Sequence, residues 1–293
     1  MPSTPTSSSI LVAVDGSPES DAAVAWAAGE SVLRHAPVTL IHVVSPVVVS
    51  VPVEPMFRMT DWYERSARHV LAHAERDFTS AVAGQAAGEL HLVVDHGNIV
   101  PTLADASKDA QLVVVGSRGR GTLGQLALGS VSSGLLHHAH CPVAVIRADQ
   151  NHAPTPDAPV VVGIDGSPAS EAATALAFDE ASRRGVDLVA LHAWSDAGIY
   201  LMLDSDWHTY QTEADEVLAE RLAGWQERYP DVTVRRRLVC DRPSYWLAEE
   251  SQRAQLVVVG SHGRGGFAGM LLGSTSSAVA QASSAPVIVV RSR

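Results

Sequence analysis

One stretch of the chain occurs twice. Gln111–Ser133 reads QLVVVGSRGRGTLGQLALGSVSS; Gln255–Ser277, 144 residues later, reads QLVVVGSHGRGGFAGMLLGSTSS, with 15 of 23 positions identical. The chain must therefore suit two copies of one folding unit. Each copy opens on a short apolar, β-branched run, Leu112–Val115 or Leu256–Val259. Such a run reads as a buried parallel strand. A glycine-rich loop follows, and then a helix beginning near Gly129-Ser130 or Gly273-Ser274. Strand, glycine loop and helix N-terminus form a layout that holds phosphate. Glycines let the backbone turn its N–H groups inward, and the helix end adds unsatisfied donors and a positive dipole. The expectation is a bound nucleotide in each repeat.

The 293 residues allow two domains of about 145 residues each, and 46% hydrophobic residues supply two cores. A net charge of −11 argues against nucleic acid or an anionic membrane as the main partner. The basic residues are 20 Arg and one Lys, Lys108, so no single arginine is informative by its type alone. Cys141 and Cys240 fall at unmatched places in the two repeats, which suits reduced thiols better than a disulfide framework. MPSTPTSSS has neither a basic nor an apolar leader region, and no apolar run approaches bilayer length. The expectation is a soluble cytoplasmic protein.

Along the chain, ILVAVD (Ile10–Asp15) and VVVGID (Val160–Asp165) read as the first strands. Both continue Gly-Ser-Pro into Ala-rich helices, with Ser17 or Ser167 as N-cap and Pro18 or Pro168 at the first helical position. These helices run to about Arg34 and Arg184, the second stopped by Gly185. Second strands follow at Val38–Val44 and Asp187–Ala193. The segments Ser45–Thr60 and Trp194–Trp207 differ in length and composition, as loops do. Long amphipathic helices are expected over Trp62–Val82 and Thr209–Arg228, third strands over Leu90–Asp95 and Val232–Cys240, and short helices over Ile99–Asp109 and Ser244–Gln252. After the glycine loops come helices Ser130–Ala139 and Ser274–Ser283 and last strands Val143–Arg147 and Val287–Arg291. Alternating strands and helices predict an α/β chain of two tandem doubly wound domains, each a five-stranded parallel sheet flanked by helices. The predicted division is a disordered tail at 1–9, domains at 10–147 and 159–293, and a Pro-rich linker at 148–158. Ligands of such sheets sit beyond the strands' carboxyl ends at the switch point, where Asp15 and Gly116 both fall.

Two well-known loop patterns fail. A P-loop requires a Lys; Gly124–Gly129 has the spacing, but Ser130 follows directly. Gly119, Gly121 and Gly124 match G-x-G-x-x-G, but that fingerprint belongs on the first strand with an acid about 20 residues on. What remains is Gly116-x2-Gly119-x9-Gly129-Ser130 and Gly260-x2-Gly263-x9-Gly273-Ser274. With VAVDGSP on the first strand, this pattern resembles the universal stress protein family over nearly the whole chain, as two tandem domains. The resemblance implies ATP as ligand. It implies that the loop and the following Ser cradle phosphates, that the first-strand Asp lies at the nucleotide, and that residues near the second strand's end border adenine. It also implies that the last strands lie at the sheet edge and mediate pairing, so that one chain imitates a dimer of single domains; a homodimer is a further option, and the downstream protein partner is unknown.

The candidate site residues are Asp15, Gly116, Arg118, Gly119, Arg120, Gly129, Ser130, Val131 and Ser132 in the first repeat. In the second they are Gly163, Asp165, Gly260, Ser261, His262, Gly263, Arg264, Gly265, Gly273, Ser274 and Thr275. Ser17 and Ser167 cap the helices, which leaves the Asp15 and Asp165 carboxylates for ribose or Mg²⁺. Arg118, Arg120 and Arg264 either neutralise phosphate or are solvated surface residues. His262 in place of Arg118 predicts two sites that differ in affinity and pH response. His137, His138 and His140 suggest a metal cluster, although histidines near a helix C-terminus are also favoured by its dipole; no metal-ligand set is assigned. His42 and His192 match between repeats and read as satisfied core histidines. No nucleophile is paired with a base and no residue is placed to orient a water. The reading is therefore an ATP-binding stress-response regulator in which ATP is a bound signal; the alternative is a slow ATPase or nucleotidyl-transfer enzyme.

Overall fold

The computed structural model describes residues 9–46, 54–119, 128–148, 154–194, 207–263 and 272–291, with backbone only at 54–61 and 207–211. The chain divides into two compact units, Met1–Ala148 and Asp149–Arg293. The first unit runs β1 (Ser9–Ala13), α1 (Pro18–Arg34), β2 (Val38–Val44), α2 (Glu54–Val82), β3 (Leu90–His96), α3 (Ile99–Ala106), a 3-10 turn (Ser107–Asp109), β4 (Ala110–Gly116), α4 (Ser130–His138) and β5 (Val143–Ile146). The second runs β6 (Val160–Gly163), α5 (Pro168–Arg184), β7 (Leu188–Ala193), α6 (Trp207–Arg228), β8 (Val234–Val239), α7 (Pro243–Ser251), β9 (Leu256–Gly260), α8 (Ser274–Ala282) and β10 (Val287–Val290).

Neighbouring strands within each unit are parallel, in the order β3-β2-β1-β4-β5 and β8-β7-β6-β9-β10. Chain order reverses between β1 and β4, and between β6 and β9, so each unit has a doubly wound sheet with its switch point there. In the first unit α1 packs on α2, and α3 on α4, forming the two helical layers. Covered on both faces, the central strands carry continuous apolar runs: Ile10–Val12 and Leu112–Val114 are buried, as are Val160–Val162 and Leu256–Val258. The outer strand β8 is exposed over Arg235, Arg236 and Arg237, which pair with Asp187, Asp215 and Glu250. β5 and β10 are the terminal strands of their own units.

The first helix of each unit is set by its ends. Ser17 Oγ accepts the Ser20 N–H at 3.2 Å, Ser167 Oγ accepts that of Ser170 at 3.2 Å, and a proline opens each helix. α1 ends on His35 with φ 49°, whereas α5 ends on Gly185 with φ 65°. Inside each helix a buried ion pair forms, Arg34 Nε to Glu30 at 2.9 Å and Arg184 Nη2 to Glu180 at 3.0 Å. Gln111 and Gln255 accept from the same guanidinium groups.

Two expectations need correction. α2 begins at Glu54, not Trp62, because Pro55 sits at the second helical position, where its missing N–H breaks no intrahelical bond. The segment Ile99–Asp109 is α3 followed by a 3-10 turn rather than one helix. The divergent segments are described only outside residues 47–53 and 195–206.

The left-handed cap supplies a stability test. His35→Gly relieves the Cβ strain at a position that Gly185 already fills in the second unit. It is expected to stabilise the protein by up to about 1 kcal/mol, measured by urea denaturation with an unchanged m-value.

Candidate functional site

The site starts where β1 and β6 end. Each is followed by a tight turn whose glycine, Gly16 or Gly166, has φ 72° or 80°, a region L side chains rarely adopt. The turn folds the preceding aspartate back onto the chain: Asp15 Oδ1 accepts the Ser17 N–H at 2.9 Å, and Asp165 Oδ1 that of Ser167 at 2.9 Å. The aspartate N–H groups donate to Ser20 Oγ at 3.2 Å and Ser170 Oγ at 3.0 Å. Serine capping therefore does not leave these carboxylates unused. One oxygen organises the helix start, and the other faces the glycine loop.

A Cβ added at Gly119 would lie 2.6 Å from Asp15 Oδ2, and one at Gly263 would lie 2.5 Å from Asp165 Oδ2. A Cβ at Gly116 would meet the Glu19 backbone at 2.7 Å, and one at Gly260 the Ala169 backbone at 2.7 Å. None of the six signature glycines has positive φ; at Gly116, Gly119, Gly260 and Gly263 it is close approach, not backbone torsion, that favours glycine. The far stem of the loop returns to the same place. Gly129 N–H donates to the Ser117 carbonyl at 2.8 Å, and Ser132 Oγ to the same oxygen at 2.9 Å. In the second unit Gly273 N–H and Ser276 Oγ donate to Ser261 O at 2.7 and 3.0 Å.

Ser132, expected at a ligand, is thus buried and turned into the loop's stem. Ser261 is likewise buried, its N–H bonded to Val290 O at 2.7 Å and its hydroxyl to His262 Nδ1 at 2.9 Å. Ser130 and Ser274 are exposed at the first positions of α4 and α8, and Val131 and Thr275 follow them half-buried. Gly129 and Gly273 cap these helices without a side-chain bond, so the first-turn N–H groups lack the side-chain partner that serves α1. Arg120, Arg264 and Gly265 lie outside the described residues.

In the second unit these parts border a cleft of about 670 Å³. Asp165, His262, Gly263, Gly273, Ser274 and Thr275 line its polar side, and Gly163, Ile164, Leu191, Leu247 and Val259 its apolar side. Trp194 and Ala193 stand at the end of β7. Asp241, Pro243 and Ser244 enter from the β8–α7 junction; sequence reading singled out none of them, because no motif marks that junction.

The charges correct the sequence reading further. Arg118 Nη2 pairs with Glu19 Oε1 at 2.7 Å, with the side chains 25% and 13% exposed. His42 Nδ1 donates to Val14 O at 2.7 Å and His192 Nδ1 to Ile164 O at 2.6 Å, so both rings brace the strand that carries the aspartate. His137 and His138 form no cluster of three ligands; among the described residues that grouping is Asp21, His73 and Asp77. His73 Nε2 lies 3.6 Å from Asp21 and 3.5 Å from Asp77, while Glu171, the counterpart of Asp21, meets Arg221 at 3.0 Å. Burial holds the Asp21 carboxyl above the ordinary carboxylate range; His73 draws it down, and Asp77 and Asp15 push it up.

A raised carboxyl pKa means that the ionised form is disfavoured in the folded chain. This loss of stability is complete above the folded-state value and vanishes once pH falls below the unfolded one. Asp21→Asn is therefore expected to raise the melting temperature at about pH 7, with the gain fading toward about pH 3. Thermal melts of both proteins across that range check it.

A family model described as the universal stress protein family matches residues 7–147 and again 158–291. A universal stress protein of Mycolicibacterium smegmatis is 54% identical over 290 residues, covering 97% of each chain. One from Mycobacterium tuberculosis is 51% identical over 284 residues, covering 96% of each. The crystal structure of a universal stress protein from Archaeoglobus fulgidus has the same fold, with a TM-score of 0.72 over 98% of this chain and 97% of that one at 21% identity. No helix among the described residues is long and apolar enough to cross a membrane.

Proposed function

The chain belongs to the universal stress protein family, as a tandem of two of its domains, and from that premise we propose that it is a stress-response regulator that binds one ATP in each repeat. The observation that carries the reading is the duplicated joint between aspartate and glycine loop. Both repeats press a glycine against a carboxylate held by a backbone N–H, and both tie the loop's far stem to one carbonyl. A side chain at Gly119 or Gly263 would fill the space where the loop backbone meets the aspartate.

The residues present fit a nucleotide. The second unit's cleft falls in the usual range for small-molecule sites, about 300–1,000 Å³. Its apolar side, Ile164, Leu191, Leu247 and Val259, suits a purine face. Ser274, Thr275 and the uncapped N–H groups of α8 suit phosphate oxygens. Asp165 supplies a hard oxygen for a ribose hydroxyl or for Mg²⁺, which when bound would balance phosphate charge. We read ATP as a signal rather than a consumed substrate. Two polar groups of the cleft help to fix the site itself: Asp165 Oδ1 accepts the Ser167 N–H, and His262 Nδ1 is bonded to Ser261 Oγ. Phosphoryl transfer needs groups aimed at the charge that develops in its transition state, whereas signalling needs only that bound and empty forms differ in affinity for a partner.

Titration with Mg-ATP is expected to saturate at two nucleotides per chain and to stabilise each repeat by about 2.7 kcal/mol at roughly a hundred times that site's dissociation constant. Calorimetry and thermal melts read both; saturation at one nucleotide counts against two sites. Gly119→Ala displaces the Asp15 carboxylate and should weaken the first site while sparing the second. Single-turnover release of product at about 1 per second or faster would make the protein an enzyme instead.

A further inference from the structure

The first unit gathers three metal-ligating side chains on its helical layer, away from the glycine loop's stem. Asp21 stands in the first turn of α1, directly after Ser20, whose hydroxyl accepts the Asp15 N–H. His73 and Asp77 lie four residues apart on α2 and so share one face of it, and α1 packs on α2. His73 Nε2 is 3.6 Å from Asp21 Oδ2 and 3.5 Å from Asp77 Oδ2. Each residue offers one ligand atom, and the three atoms lie within 4.8 Å of one another. The two histidine separations exceed the roughly 2.7–3.2 Å of an ordinary hydrogen bond. They approach the roughly 3.3–3.5 Å that separates ligand atoms set tetrahedrally around Zn²⁺ at about 2.0–2.2 Å. Among the described residues neither carboxylate is paired with an Arg or a Lys.

The second unit meets the same junction with a fixed cation. Glu171 takes the place of Asp21, and Arg221 of α6 reaches its carboxylate at 3.0 Å. When the buried faces of the two long helices are aligned, Ala67 and Leu71 on Ala214 and Leu218, Glu220 and Gly224 stand where His73 and Asp77 do. We propose that in the first unit a divalent transition cation of the Zn²⁺ type joins the two helices, held by one oxygen each of Asp21 and Asp77 and by His73 Nε2. The ligand set selects the metal. One imidazole nitrogen with two carboxylate oxygens suits Zn²⁺, whereas Mg²⁺ and Ca²⁺ take oxygen ligands. The His73, Asp21 and Asp77 side chains are 48%, 35% and 31% exposed, so an ion can enter from solvent and water can complete its shell. The ion would offset the repulsion between two neighbouring carboxylates and tie the first turn of α1 to α2. The site shares no residue with the proposed nucleotide site and is tested without ATP.

The full-length chain, stripped of metal by a chelator, is titrated near neutral pH with Zn²⁺ alone and followed by calorimetry and thermal melts. Co²⁺ serves as a spectroscopic probe. The tightest Zn²⁺ site is expected at one per chain, with a raised melting temperature. The Co²⁺ complex is expected to lack the charge-transfer band that a thiolate of Cys141 or Cys240 would give. His73→Ala and Asp77→Asn should each weaken this site by more than about tenfold, since altering even an outer-shell partner of a metal ligand typically costs about 10–100-fold. His138→Ala, on α4, should leave it unchanged. Urea denaturation without metal verifies that each variant folds cooperatively, and either ligand variant suffices for the test. Excess Mg²⁺ should leave the Zn²⁺ in place. Absence of Zn²⁺ binding overturns the site. So does tight binding that survives loss of His73 or Asp77, that yields to Mg²⁺, or that shows thiolate ligation to Co²⁺.

Discussion

Each unit is built around a close contact between a carboxylate and a glycine of the loop. The Asp15 and Asp165 carboxylates lie where the Cβ of any residue but glycine at 119 or 263 would have to go. The other oxygen of each carboxylate accepts the N–H of the capping serine, and that serine starts the helix that packs on β4 or β9. Gly116 and Gly260 let the same helix approach the end of the neighbouring strand. Strand end, helix start and loop are therefore one joint. In the second unit this small-residue packing at the switch point borders a preformed cleft.

Much of this was legible in the sequence because it is local or periodic. The apolar runs of the central strands, the Ser-Pro helix starts and the Gly185 stop each name their element within a few residues. The spacing of the signature glycines was legible too, but not its cause. Sequence reading assigned them to backbone turning, whereas the glycines beside the site that have positive φ are Gly16 and Gly166, in an ordinary-looking Gly-Ser-Pro turn. A spacing rule records where glycine stands; only geometry separates a torsional need from a steric one.

Side-chain partnerships were the least legible. Arg118 finds Glu19 across the long stretch between β1 and β4, and no local pattern joins them. Ser132 looked like a phosphate ligand because it follows the glycine loop, yet one turn of helix carries its hydroxyl back to the Ser117 carbonyl. The apolar side of the cleft draws on Leu247 and on the β8–α7 junction, where nothing resembles a motif. In the parallel sheet, residues distant in sequence meet at the carboxyl edge, and that edge is where the chemistry collects.

The duplication serves as an internal comparison. The Glu30–Arg34–Gln111 network recurs as Glu180–Arg184–Gln255, and the histidine brace of β1 recurs on β6. These interactions hold the sheet and its first helix together, so each unit needs them for itself. The charges nearer the glycine loop do not recur: His262 and Ala169 stand in the places of Arg118 and Glu19, and the second unit has the Glu171–Arg221 pair where the first has the Asp21–His73–Asp77 group. Charges near the surface can change at little cost to stability, so the two repeats are free to differ there. A tandem chain can thus keep one scaffold twice while the charges around each glycine loop diverge.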